Sequence, residues 1–191
     1  MAAVSDLAVV MALRVRGRGD AGSVARAAGC SEAAAATALA TLRERGAVAP
    51  VATGAAEPVA LTETGRAALA SLLAAEAIDR AALAARYDGF LAADQELKAA
   101  ITAWQLAPDA EKRAARDGVM ASAAAAGDVA AAIAATAPRF APYTLRIATA
   151  AAALAAGDAR FVASPRVDSL HQVWFELHED LLVTLGRSRA A

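Results

Sequence analysis

Only one cysteine, Cys30, occurs in 191 residues. An internal disulfide is therefore excluded, and a reducing, cytoplasmic setting is expected. Aromatic residues make up 4% of the chain and there are two histidines, so a core of ordinary aromatic bulk cannot be built. Lys98 and Lys112 are the only lysines, and the formal net charge is −1. No global basic field exists to attract nucleic acid or anionic lipid. The N-terminus carries no basic segment followed by a long apolar run, which argues against a signal peptide. The most apolar stretch, residues 147–157, is too short and too rich in alanine to span a bilayer. A soluble chain without a membrane partner is expected. GxSxG, P-loop and zinc motifs are also missing, so neither catalysis nor a cofactor is expected.

What the chain has in excess is alanine, at 62 positions. Alanine is the best helix former, so most of the chain should be helical wherever Gly and Pro do not interrupt it. Small side chains also require close helix approach, with Leu, Val and the few aromatics filling the gaps.

Residues 6–15 are expected to form a first helix, capped by Ser5 or Asp6, with Leu7, Val10, Met11 and Val15 on one apolar face. Gly17, Gly19 and Asp20 end it. A short helix follows over 23–28, Gly29 makes a tight turn, and Ser31 caps a third helix that runs to Arg45 and stops at Gly46. Leu39 and Leu42 mark the buried side of that helix. Residues 47–51 and 58–61 read as two short strands around a wing, and Thr62 caps the next helix.

Within this order, Leu42-Arg43-Glu44-Arg45-Gly46-Ala47-Val48 and Leu61-Thr62-Glu63-Thr64-Gly65-Arg66-Ala67-Ala68-Leu69 resemble the MarR-type winged helix family. There the first motif closes the recognition helix and the second leaves the wing. The resemblance covers residues 6–75. It implies a winged helix-turn-helix domain over 1–75 that binds double-stranded DNA as a homodimer and regulates transcription. The residues it would place at DNA are Ser23, Arg26, Ser31, Thr37, Thr41 and Arg43.

The remainder, 76–191, has no strand signal and reads as an all-α helical bundle serving dimerisation or ligand binding. Helices are expected over 74–106 with a bend at Asp88-Gly89, then over 108–126, 128–136, 142–156 and 169–185. Two islands interrupt the alanine background, residues 87–105 and 168–185, and they hold both Trp and both His. They resemble segments that follow a winged helix in some actinobacterial regulator-like proteins and in certain proteins related to pyruvate phosphate dikinase. No phosphotransfer histidine motif accompanies them. Aromatic walls with a few polar groups suit a small ligand, and Tyr87, Trp104, Gln105, Tyr143, His171, Trp174 and His178 are the candidates. The competing reading makes Trp174, Phe175, Leu177, Leu181, Leu182 and Leu185 a core-facing stripe, with the His bonded near Trp104 or Tyr143. His171 and His178 are seven apart, not the three or four of helical metal pairs. Adjacent acids such as Glu179 and Asp180 call for no special role.

Two readings of the first domain stay open. The outward face of the third helix offers Glu32, Ala33, Ala34, Thr37, Ala38 and Thr41, poor in hydrogen-bonding groups for base edges. The wing, residues 52–57, has no Arg or Lys. Seven Arg face six acids up to residue 75, with Arg14, Arg16, Arg18 and Arg26 placed to line one edge. The domain either reads DNA or has lost that capacity and binds a protein or small ligand. Cys30, beside a helix N-terminus, should have a lowered pKa if it senses oxidants; otherwise it fills space.

Overall fold

The protein, a computed structural model, is described over residues 4–51 and 58–188. It is mostly helical, with one small antiparallel sheet. Contacts divide it into two compact units, Met1–Ala77 and Ile78–Ala191.

The first unit contains α1 (Asp6–Arg16), α2 (Ala21–Ala28), α3 (Glu32–Glu44), β1 (Val48–Pro50), β2 (Val59–Leu61) and α4 (Glu63–Ala75). Ser5 caps α1 and Ser31 caps α3. Helix α2 starts two residues earlier than expected, because Asp20 is its cap. The Asp20 carboxylate accepts from the Ser23 N–H at 2.8 Å, and the Ser23 hydroxyl takes the Asp20 N–H at 3.0 Å. Helix α1 is expected to bury one face but is buried almost all round, with Val9, Ala12 and Leu13 also inside. It is the central helix of the unit, packed on α2, α4 and β2.

Strand β1 pairs with β2 with Val48 opposite Leu61, and Gly19 bridges to Val59 from the far side. The turn after α3 uses Gly46 at φ +67°, a left-handed conformation that glycine adopts without cost. The Thr62 hydroxyl donates to the Gly46 carbonyl at 2.6 Å and caps α4 by accepting from the Gly65 N–H. A side chain at Gly65 would collide with the Ala47 carbonyl oxygen, so α4 approaches the residue before β1 only because residue 65 has none. Residues 52–57, where a wing is expected, lie outside the described residues.

The second unit runs α5 (Arg80–Leu106), α6 (Lys112–Thr136), α7 (Ala141–Ala155), the short α8 (Arg160–Ala163) and α9 (Leu170–Leu185). The expected helix over 74–106 is two helices: α4 ends at Ala75, and Asp79 caps α5 by accepting from the Ala82 N–H. Helix α5 is continuous through Asp88-Gly89, and α6 is continuous through Gly127. An isolated glycine costs a helix only about 1 kcal/mol, less than the surrounding packing returns. Helix α6 packs on α5 and α7 through Val119, Ala123, Ala126, Ala130 and Ile133, mostly an alanine seam. Together with the 3-10 turn before it, α6 is long and apolar enough to cross a membrane by length and composition, with a mean hydropathy of 1.5 in its best window. Alanine supplies most of that apolarity. Helix α9 is held by α5, α7 and α8, and Phe90, Phe140, Leu154 and Leu177 fill the centre of this unit.

Candidate functional site

In the first unit the candidates surround α2 and α3. Ser23 is committed to the α2 cap and Ser31 to the α3 cap, where it accepts from the Ala34 N–H at 3.2 Å. Thr37 is exposed and donates its hydroxyl to the Ala33 carbonyl at 3.0 Å; half-buried Thr41 donates to the Thr37 carbonyl at 3.2 Å. Arg26 and Arg43 are exposed. Glu32 is exposed. Its carboxyl and the Arg26 guanidinium converge beside Gly22, each 3.7 Å from where a Cβ would sit. The open face of α3 is Ala33, Ala36, Thr37 and Ala40, ending in Arg43 and Glu44. Arg14 and Arg18 are exposed and have no ion pair or hydrogen bond among the described residues. Asp6, by contrast, is paired with Arg45 at 3.0 Å.

Cys30 does not have the lowered pKa that oxidant sensing would need. Burial pushes its thiol up, and the Ala35 N–H only partly opposes this. The thiol is half-buried in the turn before α3. Low solvation outweighs the helix terminus there, which is the opposite of an oxidant-sensing thiolate.

In the second unit, the seven ligand candidates do not line one pocket. Trp174, His171 and His178 face a notch of about 20 Å³ between α5 and α9, shared with Asp94, Lys98 and Phe175. That is room for roughly one water, against several hundred Å³ for a drug-sized ligand. Tyr87 lies behind it, its hydroxyl 2.9 Å from His178 Nε2. Trp104 is elsewhere, under Lys112, whose ammonium sits 4.8 Å from the ring centre and donates to the Trp104 carbonyl at 2.6 Å. Gln105 is exposed, and its carbonyl also accepts from Lys112. Tyr143 belongs to a different cluster, its hydroxyl donating to Asp180 at 3.0 Å. Phe175, expected in the core stripe, is 41% exposed, because the buried face of α9 is centred on Trp174, Leu177 and Leu181.

Most of the polar chemistry of this unit comes from residues outside the candidate list. Asp94 accepts from Trp174 Nε1 at 2.9 Å and from Lys98 at 2.7 Å, and lies 4.0 Å from His178 Nδ1. Both oxygens of Asp180 accept from Arg139 Nη1 at 2.8 Å, and Thr184 closes the group. Arg146 donates from Nε to Asp168 at 3.0 Å and from Nη2 to Glu176 at 2.7 Å. Glu176 has no exposed surface. No protein-family model matches the chain, and no curated protein or solved structure matches it.

The electrostatics follow from burial. Burial pushes the Asp180 carboxyl up, with the Arg139 guanidinium opposing it. The Tyr143 hydroxyl is held well above its ordinary range by burial and by Asp180. Burial works against the Arg146 charge, but Glu176 and Asp168 outweigh it and raise the arginine further. Such groups persist inside only when hydrogen-bonded and paired. The legible signal was spacing. Glu176 and Asp180 are four apart on the core-facing side of α9, and Arg139, Tyr143 and Arg146 recur at intervals of four and three. Among the described residues, no group of three or more His, Cys, Asp or Glu stands close enough to hold a metal.

Proposed function

We propose that residues 6–75 form a winged helix-turn-helix domain that binds double-stranded DNA, and that the chain is a dimeric transcriptional regulator of MarR-like type. The observation that carries this reading is the order of elements around α3. Three helices precede a β-hairpin and a fourth helix, and Gly19 between α1 and α2 adds a bridge to β2. Helix α3, packed on α2 and β1, keeps one face open to solvent. A helix in that position enters a major groove, and in a dimer two of them reach successive grooves about 34 Å apart. Arg14, Arg18 and Arg43 supply exposed cations for phosphates. The second unit takes regulatory input. The notch beside Trp174 is too small for a drug-sized ligand.

One specific observation favours a second reading, in which the domain docks a protein. The open face of α3 carries methyl groups instead of the amide and guanidinium groups that make bidentate contacts. Binding to fluorescently labelled genomic fragments, including the region upstream of the coding sequence, separates the two. The measurement is made at about 50 and 200 mM salt, a range over which phosphate-mediated affinity falls by orders of magnitude. Tight, salt-sensitive binding to one fragment supports the regulator. No binding at the lower salt overturns it and leaves the protein-docking reading.

A further inference from the structure

Four buried side chains meet where α5 and α9 pack together: Tyr87 and Asp94 from α5, Trp174 and His178 from α9. His178 Nε2 lies 2.9 Å from the Tyr87 hydroxyl, and Nδ1 lies 4.0 Å from Asp94 Oδ2, beyond direct hydrogen-bond length. A carboxylate only accepts, so the neutral ring is favoured with its proton on Nδ1, toward Asp94, and with Nε2 accepting from Tyr87. Asp94 is already engaged through both oxygens. Oδ1 accepts from Trp174 Nε1 at 2.9 Å, and Oδ2 accepts from Lys98 at 2.7 Å. The Lys98 side chain is half-exposed, so its ammonium returns to water at little cost.

Other charges approach this cluster or α9 from each neighbouring element. His171 lines the same notch from the surface, and the Arg187 guanidinium lies 5.0 Å from the centre of the Tyr87 ring. Arg139, Tyr143 and Arg146 meet α9 at Asp180 and Glu176 instead. Glu179 is half-buried on α9, and Arg160 of α8 pairs with Asp158.

We propose that His178 is a proton-operated clasp between α5 and α9. Imidazole changes charge between about pH 5 and pH 8. The imidazolium donates from both nitrogens: from Nε2 to the Tyr87 oxygen, whose own proton turns away, and from Nδ1 to Asp94 Oδ2. It then competes with Lys98 for that oxygen. The notch of about 20 Å³ beside Asp94 gives the carboxylate room to close the remaining gap, and Lys98 is released to solvent. Proton uptake thus replaces a bond within α5 by one between α5 and α9. The clasp belongs to the second unit alone and stands whether or not α3 binds DNA.

The chain supplies its own controls, because one His and one Trp lie outside the clasp: exposed His171, and Trp104 beneath Lys112. The test follows the imidazole and indole NMR resonances of the full chain from about pH 8 to pH 5. His171→Gln assigns the remaining imidazole. His178 should titrate in that range, and the Trp174 indole N–H should move with the same midpoint while that of Trp104 does not. Lys98→Met removes the competing cation and should raise the His178 midpoint by about 0.2–0.7 of a pH unit, the strength of an exposed ion pair. Asp94→Asn should lower the midpoint and uncouple Trp174 from it. A His178 ring that keeps one charge state throughout overturns the clasp. So does a Trp174 indole that ignores the His178 midpoint, or a Lys98→Met midpoint equal to that of the parent.

Discussion

The two units spend their residues in opposite ways. All the Trp, Tyr, Phe and His of the chain lie in the second unit, and so do all the buried charged groups among the described residues. The first unit is packed with Val, Leu, Met and Ala alone, and keeps its charges and hydroxyls on the surface or in helix caps. An aliphatic core stabilises without specifying chemistry, so whatever the first unit does must happen on its surface. In the second unit, side chains that usually meet solvent or ligand are turned inward along α9. There they bond one another, with Arg146 Nη1 left without a partner, which ties α5, α7 and α9 into one arrangement. Buried ion pairs of this kind are weak sources of net stability but costly to break.

The largest effect should therefore come from removing one partner inside the second unit. Arg146→Met would leave Glu176 buried without its guanidinium, and should cost about 3–5 kcal/mol. Urea denaturation followed by tryptophan fluorescence reads this directly, since both Trp report on that unit. Combining it with Glu176→Leu should recover much of the loss. A cost below about 1 kcal/mol for Arg146→Met alone would contradict a high-stakes interior.

The most sensitive point in the first unit should be steric. Gly65→Ala places a methyl on the Ala47 carbonyl, and should cost about 1–3 kcal/mol, as overpacking does. Circular dichroism of the melting chain checks this, and unchanged stability would mean that α4 is not pinned against Ala47.

Asp20→Ala should cost about 1 kcal/mol by removing the α2 cap. The effect depends on pH. The Ser23 N–H holds the Asp20 carboxyl below its ordinary value, so the contribution is present above the unfolded pKa and is lost as pH falls through the folded one. Stability measured from pH 7 down to about pH 3 should show the variant and parent converging at the acid end. A gap that stays constant would assign the loss to something other than the carboxylate. The smallest effect belongs to Arg45→Ala, which breaks the exposed pair with Asp6 and should change stability by less than about 1 kcal/mol.

Much of the first unit was legible because its signals are local. Ser31 and Thr62 sit where a hydroxyl meets free N–H groups, and Gly29 and Gly46 sit where the chain turns through positive φ. Asp20 was taken for a terminator because its partner Ser23 was assigned to the next helix instead of to its cap. In the second unit local rules misled. Gly127 reads as a break and is not one, while 76–79, which contains no glycine or proline, separates α4 from α5. The candidate ligand residues were chosen by type, as the rare aromatics and histidines, and type did not say which would meet. His178 and Tyr87 are 91 residues apart and hydrogen-bonded; Trp104 and Trp174 are both aromatic and serve different surroundings.

Composition, caps and turn glycines were enough to determine that this chain is helical, where most helices start, and that a hairpin interrupts them near residue 50. These depend on interactions among residues a few positions apart, and the sequence contains them outright. Which charges are buried and which aromatics touch were decided by the tertiary structure. Each of those outcomes depends on the desolvation of a group by residues distant in the chain, and spacing along one helix carries no information about what the neighbouring helix presents.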